Sequence, residues 1–484
     1  MSILIMGLIH MRYLSVLLVG FLVSCSQFND QTSIQPDSHW HNKTLANGLR
    51  YYIYPTEDEA ISLRLIVRVG SLQESEHQRG YAHFIQHMGF EGSEHVTKPQ
   101  LMALLNQGNV TFDADDHAYT SYRETVYKVD LAAPYELKTS LLWLSDVAFR
   151  QTFSKQSVNA ERKSVLRDIH LSHSNTDSFI DNVYQFMLSD SPLIQREPYG
   201  DVASIGSLNE SDLQRFYQRW YQPQNMALIV TGKVDPTQID ALVDALFEQK
   251  NESMPFKAPT REHYPIQLND YVATIHSHEL PSMLLVSKRG KAAINTLGDQ
   301  TQRRLERLAY SVINQRLNSV FQPTAVSAQS IYAFDAELEA HRYSFIGVEF
   351  KPRDRRRAQG LFLNTLAQLR DKGMSENEFQ TALAYYQELF EDSDHDWAQQ
   401  LPMDYAEQKV TSLLEGTTLQ SKQQFVLGLQ RFLDQVSLKQ ANAALRDVLS
   451  EPYAMMLGAS RQEDRSALNA QIADWKHEYD TRVK

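Results

Sequence analysis

Residues 62 to 92 constrain this chain more than any other stretch. Leu63, Leu65, Val67 and Val69 are apolar at every second position, the signature of a half-buried strand. Beyond Gly70 the pattern changes to a helical one, and within RGYAHFIQHMGFEG at 79–92 His83 and His87 stand four residues apart. On a helix both imidazoles project from one face about one turn apart, a separation that suits a single tetrahedral metal ion. A strand that feeds such a helix commits this part of the chain to mixed α and β structure.

Position 86 shares the face of the two histidines. Helices of the form H-x-x-E-H carry a glutamate there, which takes a proton from metal-bound water and passes it to a leaving amine. Gln86 has no titratable proton near neutral pH, so general-base catalysis, usually worth about a hundred- to ten-thousand-fold, is expected to be lost. Zinc also needs a third ligand, normally a carboxylate from another element. Glu161 and Asp168 stand seven apart and share a helical face, with Val165 and Ile169 on the buried side of the same helix. Taken alone, two histidines at this spacing are more often surface or core residues than ligands, so the surrounding pattern decides.

That pattern resembles the pitrilysin and insulin-degrading-enzyme family, whose active-site helix is close to G-x-A-H-F-x-E-H-M-x-F-x-G. Further segments agree in order: DHAYTSYRETVY at 116–127 resembles a cleft-lining strand, and 161–168 resembles the helix with the third zinc ligand. REPYG at 196–200 and WYQPQNM at 220–226 resemble the segments that close the first domain. The resemblance implies zinc held by His83, His87 and Asp168, with Glu161 behind them and Gln86 at the base position. It also implies substrate contacts from His117, Ala118, Tyr119 and Thr120. The departures fall on the chemistry: Gln86 replaces the base, Asp168 a glutamate ligand one methylene longer, and His117 an asparagine. A shortened carboxylate is expected to weaken zinc binding.

Across 484 residues the net charge is −12, which argues against a nucleic-acid partner. The single cysteine, Cys25, closes the segment Leu22-Val23-Ser24-Cys25, which follows a short basic region at Met11 and Arg12 and an apolar run at 13–21. This reads as a lipoprotein signal at 1–25 in which Cys25 becomes the acylated first residue, with Met11 as an alternative start to Met1. The resemblance to such signals implies anchoring to a bacterial outer membrane, facing the periplasm. With no second cysteine, disulfides cannot support the fold.

The segment 26–40 is rich in Ser, Gln, Asn and Asp and reads as a flexible tether. A first domain at 41–250 contains the metal motif, with a helix expected at 134–149, a capping box at Ser207 to Glu210, and a closing strand at 225–232. Pro255, Pro259 and Pro265 mark a linker at 251–265. A second, metal-free domain at 266–484 faintly repeats the first: 282–290 echoes 62–70, and 451–458 echoes 225–232. Helical patterns follow at 297–317, 355–369 and 376–389, while 392–396 reads as a solvated loop. The expected fold class is α+β, two duplicated domains with a mostly antiparallel sheet covered by helices on one face. Relatives in the resembled family build a chamber from four such domains, which implies a second chain, identical or different. Three functions stay open: a peptide-binding member that no longer cuts, an active zinc endopeptidase, and a structural lipoprotein.

Overall fold

The computed structural model describes residues 31–483 except 107–116, 133–135, 174–178, 189–190, 249–263, 265, 275–279, 292, 323, 325, 327, 339–340 and 460–462. Cys25, the signal segment and nearly all of the expected linker lie outside the described residues. The alternating stretch at 63–69 becomes a central strand, β3 (Ile61–Val67). It is fully buried and not half-buried as its alternation suggested, because both of its faces are covered. Around it lie β1 (His41–Thr44), β2 (Arg50–Pro55), β4 (Ala118–Thr120), β5 (Thr125–Leu131) and β6 (Met226–Gly232), in the order β1-β2-β6-β3-β5-β4. The second sheet holds β7 (Tyr271–Thr274), β8 (Ser282–Gly290), β9 (Ala328–Leu338), β10 (His341–Phe350) and β11 (Tyr453–Ala459), in the order β7-β11-β8-β10-β9.

The two sheets share one plan. β2 runs parallel to β6 and β7 parallel to β11, and every other pairing is antiparallel. Strand for strand, β2, β6, β3, β5 and β4 correspond to β7, β11, β8, β10 and β9, which gives the faint sequence repeat a structural counterpart. Each sheet packs helices of its own half on one face. In the first half this core includes Leu63, Leu65, Val67, Phe84, Ile85, Trp143 and Phe216.

The opposite face of each sheet is closed by the other half. Helix Pro402–Glu415 packs Ala406 and Val410 against Tyr52, Tyr54, Ile66, Val126 and Ile229 of the first sheet. Tyr54 stacks on Tyr405 with ring centroids 4.4 Å apart, and Thr231 Oγ1 donates to the Pro402 carbonyl at 2.6 Å. Arg64, 1% exposed on β3, donates from Nε to Glu407 and from Nη1 to Asp130, each at 2.9 Å. Reciprocally, helix Phe179–Leu188 and the turn Pro192–Gln195 bring Phe186, Met187, Leu188 and Leu193 against Leu284, Val286, Tyr343 and Met456 of the second sheet.

Four further expectations differ from the structure. Part of the expected tether is docked: Ile34 N donates to Asn295 O and Asp37 N to Leu419 O, both at 2.8 Å, and Trp40 is buried. Ile34 and Trp40 supply apolar anchors that the polar composition concealed. The stretch 116–127 is not one strand, because Ser121 N bonds Glu124 O at 2.8 Å and turns β4 back on β5. Helix Glu210–Trp220 is capped by Asn209, whose side chain accepts from Asp212 N, while Ser207 ends the preceding helix Val202–Ser207. Residues 392–396 enter a short helix, Ser393–Ala398, instead of a loop.

Candidate metal centre

The histidines sit on helix α1 (Tyr81–Met88), all eight of whose residues are buried. A helix this short is marginal alone, and tertiary contacts hold both of its ends. At the N-terminus Glu74 accepts from Gly80 N at 2.9 Å and Ala82 N at 2.8 Å, satisfying donors that the helix cannot. Burial pushes the Glu74 carboxyl up to about 8, opposed by those N–H bonds and by Arg196. At the C-terminus Trp143 Nε1 donates to Gly89 O and Gln151 Nε2 to Ile85 O, both at 3.0 Å.

Phe84, Ile85 and Met88 face the core, which turns His83, Gln86 and His87 the other way. His83 Nε2 and His87 Nε2 lie 3.1 Å apart, and Asp168 Oδ2 lies 3.5 Å from His87 Nε2. One atom from each of His83, His87 and Asp168 falls within 4.8 Å of the others. Ligands about 2.0–2.2 Å from a tetrahedral zinc are spaced roughly 3.3–3.6 Å apart, so these residues fit the ion. Burial, then the neighbouring His87, lowers the His83 imidazole to about 3, keeping it neutral as ligation requires. Despite its shorter side chain, Asp168 reaches the group from helix Lys155–His173.

Glu161, two turns before Asp168 on that helix, places Oε1 2.8 Å from His87 Nδ1. This contact fixes the ring so that Nε2 faces the centre. Desolvation is the largest single influence on the Glu161 carboxyl and raises it, but the hydrogen bond and charge interaction with His87, together with Glu91 and Lys98, bring it below its ordinary value. Arg162, next along, turns away and caps the carbonyls of Ile205 and Leu208.

Gln86 is 1% exposed, and its Oε1 accepts from Thr120 Oγ1 at 2.7 Å. Thr120 therefore belongs to the centre. Ala118 packs in the core beneath α1, while Tyr119 points through the sheet to the opposite face, where Lys128 Nζ lies 5.1 Å from its ring. His117 is buried immediately before β4. β4 is the last strand of its sheet, so its outer edge has no strand partner among the described residues.

Sequence reasoning gave no role to Glu74 or Tyr199. The Tyr199 ring meets His83 edge-on with centroids 5.3 Å apart. Gly80 and Gly200, at φ of +90° and +83°, lie back to back, and a Cβ on Gly200 would fall 2.4 Å from Gly80 Cα. Two glycines at the ends of these segments were the available signal.

Two family descriptions match the chain: insulinase (peptidase family M16) over residues 52–196, and the peptidase M16 inactive domain over 207–386. The chain belongs to peptidase family M16. Among curated relatives of this M16 chain, the probable zinc protease PqqL of Escherichia coli is 33% identical over 234 residues, 47% of this chain and 24% of the relative. PqqL of Haemophilus influenzae is 22% identical over 460 residues, covering 91% of this chain and 48% of the relative. Protein YhjJ of Salmonella typhimurium is 26% identical over 467 residues, 92% of this chain and 89% of the relative. The M16 chain thus spans about half or less of the PqqL relatives it matches. The first half of the periplasmic protease PqqL from Escherichia coli has the same fold, with a TM-score of 0.79 at 22% identity over 93% of this chain and 98% of that one. A predicted insulinase family protease from Yersinia pestis gives 0.80 at 22% identity, over 96% and 100%. No helix among the described residues is long and apolar enough to cross a membrane.

Proposed function

We propose that this chain is an M16 homologue that binds extended peptides and does not hydrolyse them. The observation that carries this reading is Gln86 at the base position, buried and bonded to Thr120. Bound zinc would supply Lewis acidity at His83, His87 and Asp168, but an amide beside it cannot accept the proton of an attacking water. The outer edge of β4, without a strand partner among the described residues, offers main-chain donors and acceptors to an unfolded polypeptide by strand addition. Residues 41–250 serve as the metallopeptidase-like domain and 266–484 as its metal-free partner. The lipid anchor at Cys25, the periplasmic face of the outer membrane, and a second M16 chain completing a chamber are parts of the same proposal.

Zinc content and peptide cleavage, measured for wild type, Gln86→Glu, and Gln86→Glu with Asp168→Glu, test it. The expected result is no chelator-sensitive cleavage by wild type and its appearance when both carboxylates are restored. Wild-type turnover abolished by His83→Ala would reject the proposal. One second reading has an observation in its favour: the convergence of His83, His87 and Asp168 supports a slow zinc endopeptidase.

A further inference from the structure

We infer that the centre retains peptides by a free C-terminal carboxylate, an inference that rests on the peptide-binding reading and names its ligand class. The geometry begins at Thr125, whose hydroxyl donates to the Val69 carbonyl at 2.9 Å. Thr125 Oγ1 lies 3.3 Å from Thr120 Oγ1, and Thr120 in turn gives its proton to Gln86 Oε1 at 2.7 Å. The oxygen end of the Gln86 amide is thus held by a fixed donor. What Gln86 offers a ligand is its amide nitrogen, which only donates. An ionised carboxylate only accepts, so the two are complementary.

Charge points the same way. A divalent ion held by two neutral imidazoles and the single Asp168 carboxylate keeps a net positive charge, which a glutamate at position 86 would cancel. Glu161, behind His87, contributes equally in both cases. A hydrolytic centre of this family generates a carboxylate next to its own carboxylate base, and like-charge repulsion favours release. Gln86 removes the repulsion and adds a donor, turning a product-expelling position into a product-holding one. Residues preceding the carboxylate would lie extended along β4, whose outer edge has no strand partner among the described residues. The ligands of this class are unfolded chains or peptides that end in a free carboxylate, the group that amide hydrolysis creates and that every chain's own C-terminus also carries.

Fluorescence anisotropy with one N-terminally labelled hexapeptide, prepared as free acid and as C-terminal amide, tests this on the full chain. Zinc-loaded wild type is expected to bind the acid at least about tenfold more tightly than the amide. Chelation of the metal should erase the preference, and in Gln86→Glu the two affinities should come within about twofold of each other at pH 7. Equal affinity of acid and amide for zinc-loaded wild type overturns the inference and leaves the peptide-binding reading standing. A preference unchanged in Gln86→Glu also overturns it, by placing recognition elsewhere. Failure of both peptides to bind removes the peptide-binding reading itself. The wild-type comparison needs no variant, so a folding defect in Gln86→Glu cannot obscure the answer; mass spectrometry checks that the probe stays intact.

Discussion

Glu161 holds His87 by its far nitrogen: Oε1 to Nδ1 is 2.8 Å, on the side of the ring away from His83 and Asp168. Orientation of a ligand through such a partner is commonly worth ten- to a hundredfold in metal affinity. Glu161→Ala is therefore expected to weaken zinc binding by about 10- to 100-fold with little change in unfolding midpoint of the metal-free protein. Competition with a chromophoric chelator measures the first quantity and denaturant titration the second.

Glu74 gives the protein a pH-dependent stability. Its carboxyl, unfolded, titrates near 4.5, and burial raises it to about 8 in the folded chain. The folded state thus binds the proton more tightly, so this contribution is fully present below about pH 4.5 and is lost as pH rises through about 8. Denaturant midpoints measured from pH 5 to 9 should fall more steeply for wild type than for Glu74→Gln, which carries no titrating proton. Equal slopes for the two proteins would contradict the assignment.

Gly200 should tolerate no side chain. Alanine there combines positive φ with a contact of 2.4 Å to the Gly80 backbone. Gly200→Ala is expected to cost at least about 2 kcal/mol and to lower zinc affinity by displacing the start of α1. Gly206, in the helix Val202–Ser207, is the control, since a Cβ at that position would meet nothing within 4 Å. Its change to alanine should be neutral or stabilising by about 0.5–1 kcal/mol.

Arg64 joins the halves through a buried guanidinium. Asp130 and Glu407, 41% and 42% exposed, can turn to water when it is removed, which limits the loss. Arg64→Ala is expected to destabilise by about 2–4 kcal/mol, chiefly through lost packing and charged hydrogen bonds. Chemical denaturation monitored by tryptophan fluorescence reads this directly.

What was legible in the sequence was what is periodic or local. Leu63, Leu65 and Val67 announced β3, and the spacing of Glu161, Val165, Asp168 and Ile169 placed on one helix the carboxylate that the structure brings to His83 and His87. The turn at Ser121 to Glu124 escaped notice because it contains neither Gly nor Pro and is closed by the Ser121 and Glu124 side chains, 2.5 Å apart. Glu74 caps α1 from outside any repeat, and Arg64 meets Glu407 across 343 positions, a separation at which no one-dimensional pattern operates. The docking of residues 32–40 depended on two apolar anchors in a polar stretch, too few for composition to register.

The exchange of helices between the halves sets the smallest unit in which this architecture can exist. Severed from the other, either sheet would present an apolar surface to water, so neither half is a free-standing module. A longer chain built on the same plan would have to keep such halves together in pairs. A companion chain would meet surfaces other than the two sheet faces that the halves already cover for each other.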